Sequence, residues 1–173
     1  MYDYYLGGKD NFAIDRETAE AALKSWPSGP IAARENRGFL ARSVGYLAGE
    51  VGISQPIALM LVAILHFFAD EEDPASIVQA LLAAMAPGSY LAASSLTPEH
   101  NPESIHGMED TYRAVGVRVR SRTADEFGRM FFSGLELVPP GVVLTSEWRP
   151  EAVGPRPKPE EVNAYGAVGR KPA

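Results

Sequence analysis

His66 is the residue of this chain best suited to acid–base chemistry, because an imidazole titrates near neutral pH and can both take and give a proton. It stands inside the run Ile57 to Phe68, which is otherwise apolar. If that run is a parallel strand, His66 sits at its carboxyl end, where open α/β sheets place ligand groups. It would serve there as a general base on an acceptor hydroxyl or amine. A core histidine with a satisfied hydrogen bond accounts for the same residue. A second group opens the chain: Tyr4, Tyr5, Gly7, Gly8, Lys9, Asp10 and Asn11. It reads either as an aromatic arm with a glycine turn or as a lid over a pocket, with Lys9 and Asn11 donating hydrogen bonds. Arg34, Asn36 and Arg37 lie off the apolar stripe of a helix and read, on chemistry alone, as solvated surface. Ser94 and Ser95 end a strand near the same edge as His66, but no His–Asp pattern supports a serine nucleophile. Asp70, Glu71, Glu72 and Asp73 lack further ligand spacing, so they read as a solvated loop and helix start rather than a metal site. His100 and His106 read as surface.

The elements that position these residues follow from pattern. Asp15 is expected to cap a helix through Leu23, closed by Trp26-Pro27-Ser28-Gly29-Pro30. Ile31, Phe39, Leu40, Val44, Leu47 and Val51 recur at helical spacing and predict one long amphipathic helix, ended by Gly52. Ile57 to Phe68 is apolar on both faces, as in a strand covered by helices on both sides of a parallel sheet. Periodicity fits a buried helix as well, and the exit into Asp70 to Pro74 favours the strand. Asp73 and Pro74 start a helix with a stripe of Ile77, Leu81, Leu82 and Met85. Tyr90 to Ser95 completes a βαβ unit. Helices follow over Pro102 to Ala114 and Thr123 to Phe132, the latter with a Thr123–Glu126 capping box. Gly134 to Val138 and Val142 to Trp148 read as antiparallel strands around Pro139-Pro140-Gly141. Tyr165 to Gly169 reads as a last strand inserted between the others.

Composition bounds the rest. At 173 residues the chain is expected to form one domain with one core. A net charge of −6 argues against nucleic-acid binding, and Arg113, Arg118, Arg120 and Arg122 read as a solvated face. The absence of cysteine removes disulfides, thiolate zinc sites and a cysteine nucleophile. The opening residues do not resemble a signal peptide, and no apolar run is long enough to span a bilayer as a helix, so the default compartment is the cytoplasm.

Seven blocks together resemble a known family. They are Tyr2-Asp-Tyr-Tyr-Leu-Gly-Gly-Lys-Asp-Asn-Phe12, Ala32-Ala-Arg-Glu-Asn-Arg-Gly-Phe-Leu40, Leu61-Val-Ala-Ile-Leu-His-Phe67, Pro87-Gly-Ser-Tyr-Leu91, Gly134-Leu-Glu-Leu-Val138, Trp148-Arg-Pro150 and Tyr165-Gly-Ala-Val-Gly-Arg-Lys-Pro172. They are similar to a family of S-adenosylmethionine-dependent methyltransferases, over nearly the whole chain. The resemblance implies an α/β fold, a partial class I methyltransferase sheet with N-terminal helices and a C-terminal antiparallel hairpin. It divides the single domain 1–173 into an arm with helices, 1–55, and the second half of a Rossmann-like core, 56–173. It implies S-adenosyl-L-methionine as cofactor, a small-molecule methyl acceptor, His66 as catalytic residue, and Tyr5, Gly7, Gly8, Lys9, Asn11 and Arg34 or Arg37 as cofactor-binding residues. One departure stands out. The family's strand ending in Asp-Ile-Gly-x-Gly is missing, and the chain passes from Gln55 straight to Pro56. This suggests an internal deletion, and with it a second reading: a catalytically inactive relative acting as a structural or interaction protein. Loss of the neighbouring strands would leave Ile57 to Phe68 as an open edge, prone to self-association.

Overall fold

A computed structural model describes residues 2–9, 11–50, 56–150 and 154–173, without the side chains at 41, 44, 45 and 47–50. Val44, Leu47, Val51 and Gly52 of the expected long helix, and Asp10 of the opening block, therefore lie outside the described side chains or residues.

Three helices begin the chain: α1 (Tyr2–Tyr5), α2 (Ala13–Ser25) and α3 (Gly29–Glu50). Asp15 does not cap α2 as expected. Phe12 occupies the cap position, and the Asp15 carboxylate reaches back to accept its N–H at 3.1 Å. A carboxylate one turn into a helix satisfies the same orphan amide. α3 starts ahead of Ile31 because the Ser28 carbonyl accepts the Ile31 and Ala32 amides, and Pro30 is tolerated in a first turn.

The apolar run is mostly not strand. Only β1 (Ala58–Leu61) is extended, followed by a 3-10 turn at Leu65–Phe67 and another at Asp70–Glu72. The chain leaves the sheet at Ala63, whose φ is 58° and whose N–H is taken by the Ser94 hydroxyl at 3.0 Å. Nor is the run buried on both faces, since Ile57 is 60% exposed. α4 (Pro74–Ala84) follows, capped by Asp73, which accepts the Ser76 N–H at 3.2 Å. Its buried stripe is Val78, Leu82 and Met85, while the expected members Ile77 and Leu81 are exposed. β2 (Tyr90–Leu96) is buried along its whole length.

α5 (Pro102–Ala114) and α6 (Ala124–Phe131) fall where expected, α6 with the Thr123–Glu126 box closed in both directions. Then come β3 (Glu136–Leu137), β4 (Val143–Leu144), α7 (Pro159–Val162) and β5 (Ala164–Arg170). The sheet order is β1-β2-β5-β3, with β4 also on β5. β1 is parallel to β2, Ala58 opposite Tyr90, and β5 is antiparallel to β2, Tyr90 opposite Arg170. The last strand is thus inserted between the others as the pattern predicts. The two expected hairpin strands are short, and each pairs with β5 rather than with the other.

The core has three parts. Phe39 of α3 packs with Tyr90, Ala92, Trp148 and Val168 on one face of the sheet. Val78, Leu82, Phe127 and Phe131 of α4 and α6 cover the other, against Leu91 and Ala93. Tyr5, Ala22, Trp26, Ala32, Ile105 and Met108 form a third cluster with Leu96, at the carboxyl end of β2. Among the described residues no helix is long and apolar enough to cross a membrane.

Candidate functional site

Where the third cluster meets the ends of β1 and β2, the packing leaves a cavity of about 330 Å³, at the small end of the range for ligand sites. Tyr2 and Tyr5 of α1, Asn36 and Arg37 of α3, Ser94 and Ser95 of β2, Tyr112 of α5 and the turn Val62 to Phe67 contribute to its wall. A chain of hydrogen bonds ties these elements together. The Tyr2 hydroxyl donates to the Ala33 carbonyl at 3.0 Å and accepts from Asn36 Nδ2 at 3.1 Å. Asn36 Oδ1 accepts from the Ser94 hydroxyl, which itself accepts the Ala63 N–H. Ala63, left-handed without being glycine, is held there at a cost of roughly 1 kcal/mol.

His66 is buried in this wall, its ring 4.5 Å from that of Phe67, centroid to centroid. Its side chain makes no hydrogen bond among the described residues, and Nδ1 is sealed without a partner. Burial, and after it the positive charge of Arg122, lower its pKa to about 4, so the imidazole is neutral at physiological pH. Burial likewise raises the Tyr5 and Tyr112 phenols, and the Tyr5 ring stands edge-on to Trp26 at 6.2 Å. Among the described residues no carboxylate lines the cavity, and Arg37, exposed, is its one formal charge.

The turn that carries His66 is shaped by Arg122. Its guanidinium donates to the Leu65 carbonyl at 3.1 Å, the Phe68 carbonyl at 2.9 Å and Asp70 Oδ1 at 2.9 Å. It also lies 5.5 Å from the Phe131 ring centroid. Arg122 is 1% exposed, so the solvated-face reading fails for it. Arg120 is half-exposed and shared between Asp70 and Glu126.

Of the residues singled out from sequence, Tyr5, Arg37 and His66 come together at the cavity, with Asn36, Ser94 and Ser95. Gly7, Gly8, Lys9, Asn11 and Arg34 are not in its wall. Gly7 and Gly8 form the turn between α1 and α2, where a Cβ on Gly8 would strike the Asp3 carboxylate. Asn11 Nδ2 donates to that carboxylate at 2.7 Å and to the Gly8 carbonyl at 3.0 Å, and Asn11 accepts from Arg16. The block is knitted onto itself. Lys9 and Arg34 are exposed. Sequence reasoning did not single out Tyr2, Trp26 or Tyr112 for the wall; each comes from a separate element, and no local pattern joins them.

One sequence feature bears on what the site can hold. No two of the 16 glycines stand two positions apart, so the chain contains no Gly-x-Gly anywhere.

A family model described as S-adenosyl methyltransferase matches residues 1–55 and 53–172. The two pieces meet where the expected glycine-rich strand is missing. No curated protein matches the chain. Two crystal structures are similar. One is a DUF574 family protein from Streptomyces avermitilis, 29% identical, with a TM-score of 0.92 over 99% of this chain and 95% of that one. The other is a "putative methyltransferase" from Thermobifida fusca, 27% identical, with a TM-score of 0.89 over 99% and 93%.

Proposed function

This chain belongs to the S-adenosyl methyltransferase family, and we propose that it keeps the acceptor side of a methyl-transfer site while lacking the means to hold the methyl donor by itself. The observation that carries this reading is the cavity wall without a carboxylate. S-adenosylmethionine bears a sulfonium, an amino-acid zwitterion whose carboxylate Arg37 would meet, and a ribose diol. Nucleotide-binding α/β folds meet the diol with an acidic side chain at a strand end and approach the ligand through closely spaced glycines. Among the described residues neither is present in this wall. The sulfonium taken out of water with no counter-charge costs several kcal/mol, and the neutral His66 offers none in return. The residues present do not fit the donor. The family match in two abutting pieces and the position of β1 at the edge of the sheet support the view that the donor-binding strands belong between those pieces.

The cavity would then bind a small dissolved acceptor in the cytoplasm, with the neutral imidazole of His66 in its wall. The net charge of −6 disfavours a nucleic acid in that role.

A second reading, an active methyltransferase, is favoured by the likeness to solved family structures over 99% of the chain. In it His66 is the general base, and Tyr5, Gly7, Gly8, Lys9, Asn11, Arg34 and Arg37 hold the donor. Calorimetric titration with S-adenosylmethionine and S-adenosylhomocysteine separates the two, with circular dichroism to establish that the sample is folded. The first reading expects no heat of binding; micromolar affinity for either compound overturns it.

A further inference from the structure

We infer that β1 and α4 form a single interaction surface, and that its occupant is a second copy of this chain, joined by antiparallel pairing of the two β1 edges. The inference does not depend on what the cavity binds.

The first observation is a gap in the charge pattern. Between Pro56 and Pro98 the only formal charges are the four carboxylates Asp70 to Asp73. α4 exposes seven of its 11 residues and not one is charged. Ile77 and Leu81, one turn apart on it, are each 43% exposed. A helix that faces water usually carries charged and polar residues on its outer face, where α4 has only Ser76 and Gln79; the centre of a protein interface is depleted of charge.

The second observation is the open strand. Among the described residues β1 pairs with β2 alone. The Tyr90 N–H donates to the Ile57 carbonyl at 2.9 Å, so residues 57, 59 and 61 turn their backbone groups toward β2. Ala58 and Met60 turn theirs outward, since alternate residues of a strand bond to opposite sides. Ile57, beside this edge, is 60% exposed. Of the devices that usually guard an edge, Pro56 and the shortness of β1 are present, but no lysine and no inward charge occurs from Ile57 to Ala69.

A second copy accounts for both observations with one operation. A two-fold axis perpendicular to the sheet sets β1 antiparallel to its mate and makes the contact isologous. The same axis keeps both α4 helices on the same side of the joined sheet. Leu59 and Leu61 pack into the cluster that contains Val78 and Leu82, so α4 and the inner side chains of β1 share one side of the sheet, and the two helices would lie on the same side of the seam. A lone peptide strand would pair the edge and leave Ile77 and Leu81 in water. Two chains of net charge −6 also repel least across a face that carries so little of that charge.

Sedimentation equilibrium of the purified chain over a wide concentration range tests this. The expected species has twice the 18.7 kDa chain mass. Ala58→Pro removes an outward N–H and spares the bonds to β2, at a first strand residue where proline is tolerated. Leu81→Glu sets like charges across the seam from an exposed position. Each is expected to yield the 18.7 kDa species with the far-ultraviolet spectrum unchanged. Should Ala58→Pro fail to fold, Leu81→Glu decides alone. A wild type that stays monomeric throughout means that a foreign strand, or nothing, covers this face, and overturns the inference. So does a dimer or larger assembly that survives the substitutions.

Discussion

The guanidinium of Arg122 meets the carboxylate of Asp70 at 2.9 Å, and the two residues close the turn in which His66 is presented to the cavity. The pair is unequal. Arg122 is 1% exposed and Asp70 is 49% exposed at its side chain. The arginine also holds the carbonyls of Leu65 and Phe68, on either side of the imidazole.

Removing each partner should therefore have different consequences. Arg122→Ala leaves three backbone carbonyls, those of Leu65, Phe68 and Arg120, short of a charged donor and opens a void beside Phe131, with an expected loss of roughly 2–4 kcal/mol in unfolding free energy. Asp70→Asn removes the ion pairs to Arg122 and Arg120 but keeps an amide oxygen that can accept from them, and is expected to lose less than Arg122→Ala, about 1 kcal/mol. Urea denaturation of both variants measures the difference. Equal losses would mean that the ion pair, rather than the carbonyl contacts, holds the turn.

The burial of His66 predicts a pH dependence with a definite sign. Desolvation, and then Arg122, lower its pKa from 6.5 to about 4. As pH falls below 6.5 the unfolded chain takes up this proton while the folded chain does not. Stability is fully present above that value and is lost progressively down to about 4, by on the order of a few kcal/mol. For Asp70, desolvation acts upward but the hydrogen bonds from Arg120 and Arg122 outweigh it and hold the carboxyl below its ordinary range. Its contribution therefore disappears only in more acid solution. His66→Gln should flatten the urea midpoint between pH 6.5 and 4 relative to wild type. Parallel curves for the two proteins would show that another group titrates there.

Features with a local chemical cause were legible in the sequence. The helix expected from Pro102 is α5, Thr123 and Glu126 start α6, and both helices stand where the pattern put them. The end of β1 was not legible, because apolar composition says nothing about where a ladder stops. That limit is set by the Ser94 hydroxyl on the Ala63 amide, 31 positions away, and by Arg122 on Leu65, 57 positions away. The same distance hides the burial of Arg122, whose local sequence alternates like an exposed strand. The cavity was half legible. His66 and the Ser94–Ser95 pair were placed near one edge by the βαβ pattern, while Tyr2, Trp26 and Tyr112 arrive from three helices or turns that only the packed core brings together.

Those adjacent serines give the sharpest test of the cavity's architecture. Successive strand residues point to opposite faces of a sheet, and the two hydroxyls have opposite fates. Ser94 Oγ accepts the Ala63 N–H at 3.0 Å and donates to Asn36, joining β2 to α3 and to the turn after β1. Ser95 Oγ is buried with no partner among the described residues. Ser94→Ala strips partners from two polar groups and is expected to destabilise by about 1–3 kcal/mol. Ser95→Ala removes a hydroxyl that is already unpaired, so its stability should stay within about 0.5 kcal/mol of wild type or rise above it. Thermal and urea unfolding of the two variants side by side make the comparison. A loss at Ser95 as large as that at Ser94 would reveal a partner for its hydroxyl, and with it a different polar layout at the end of β2.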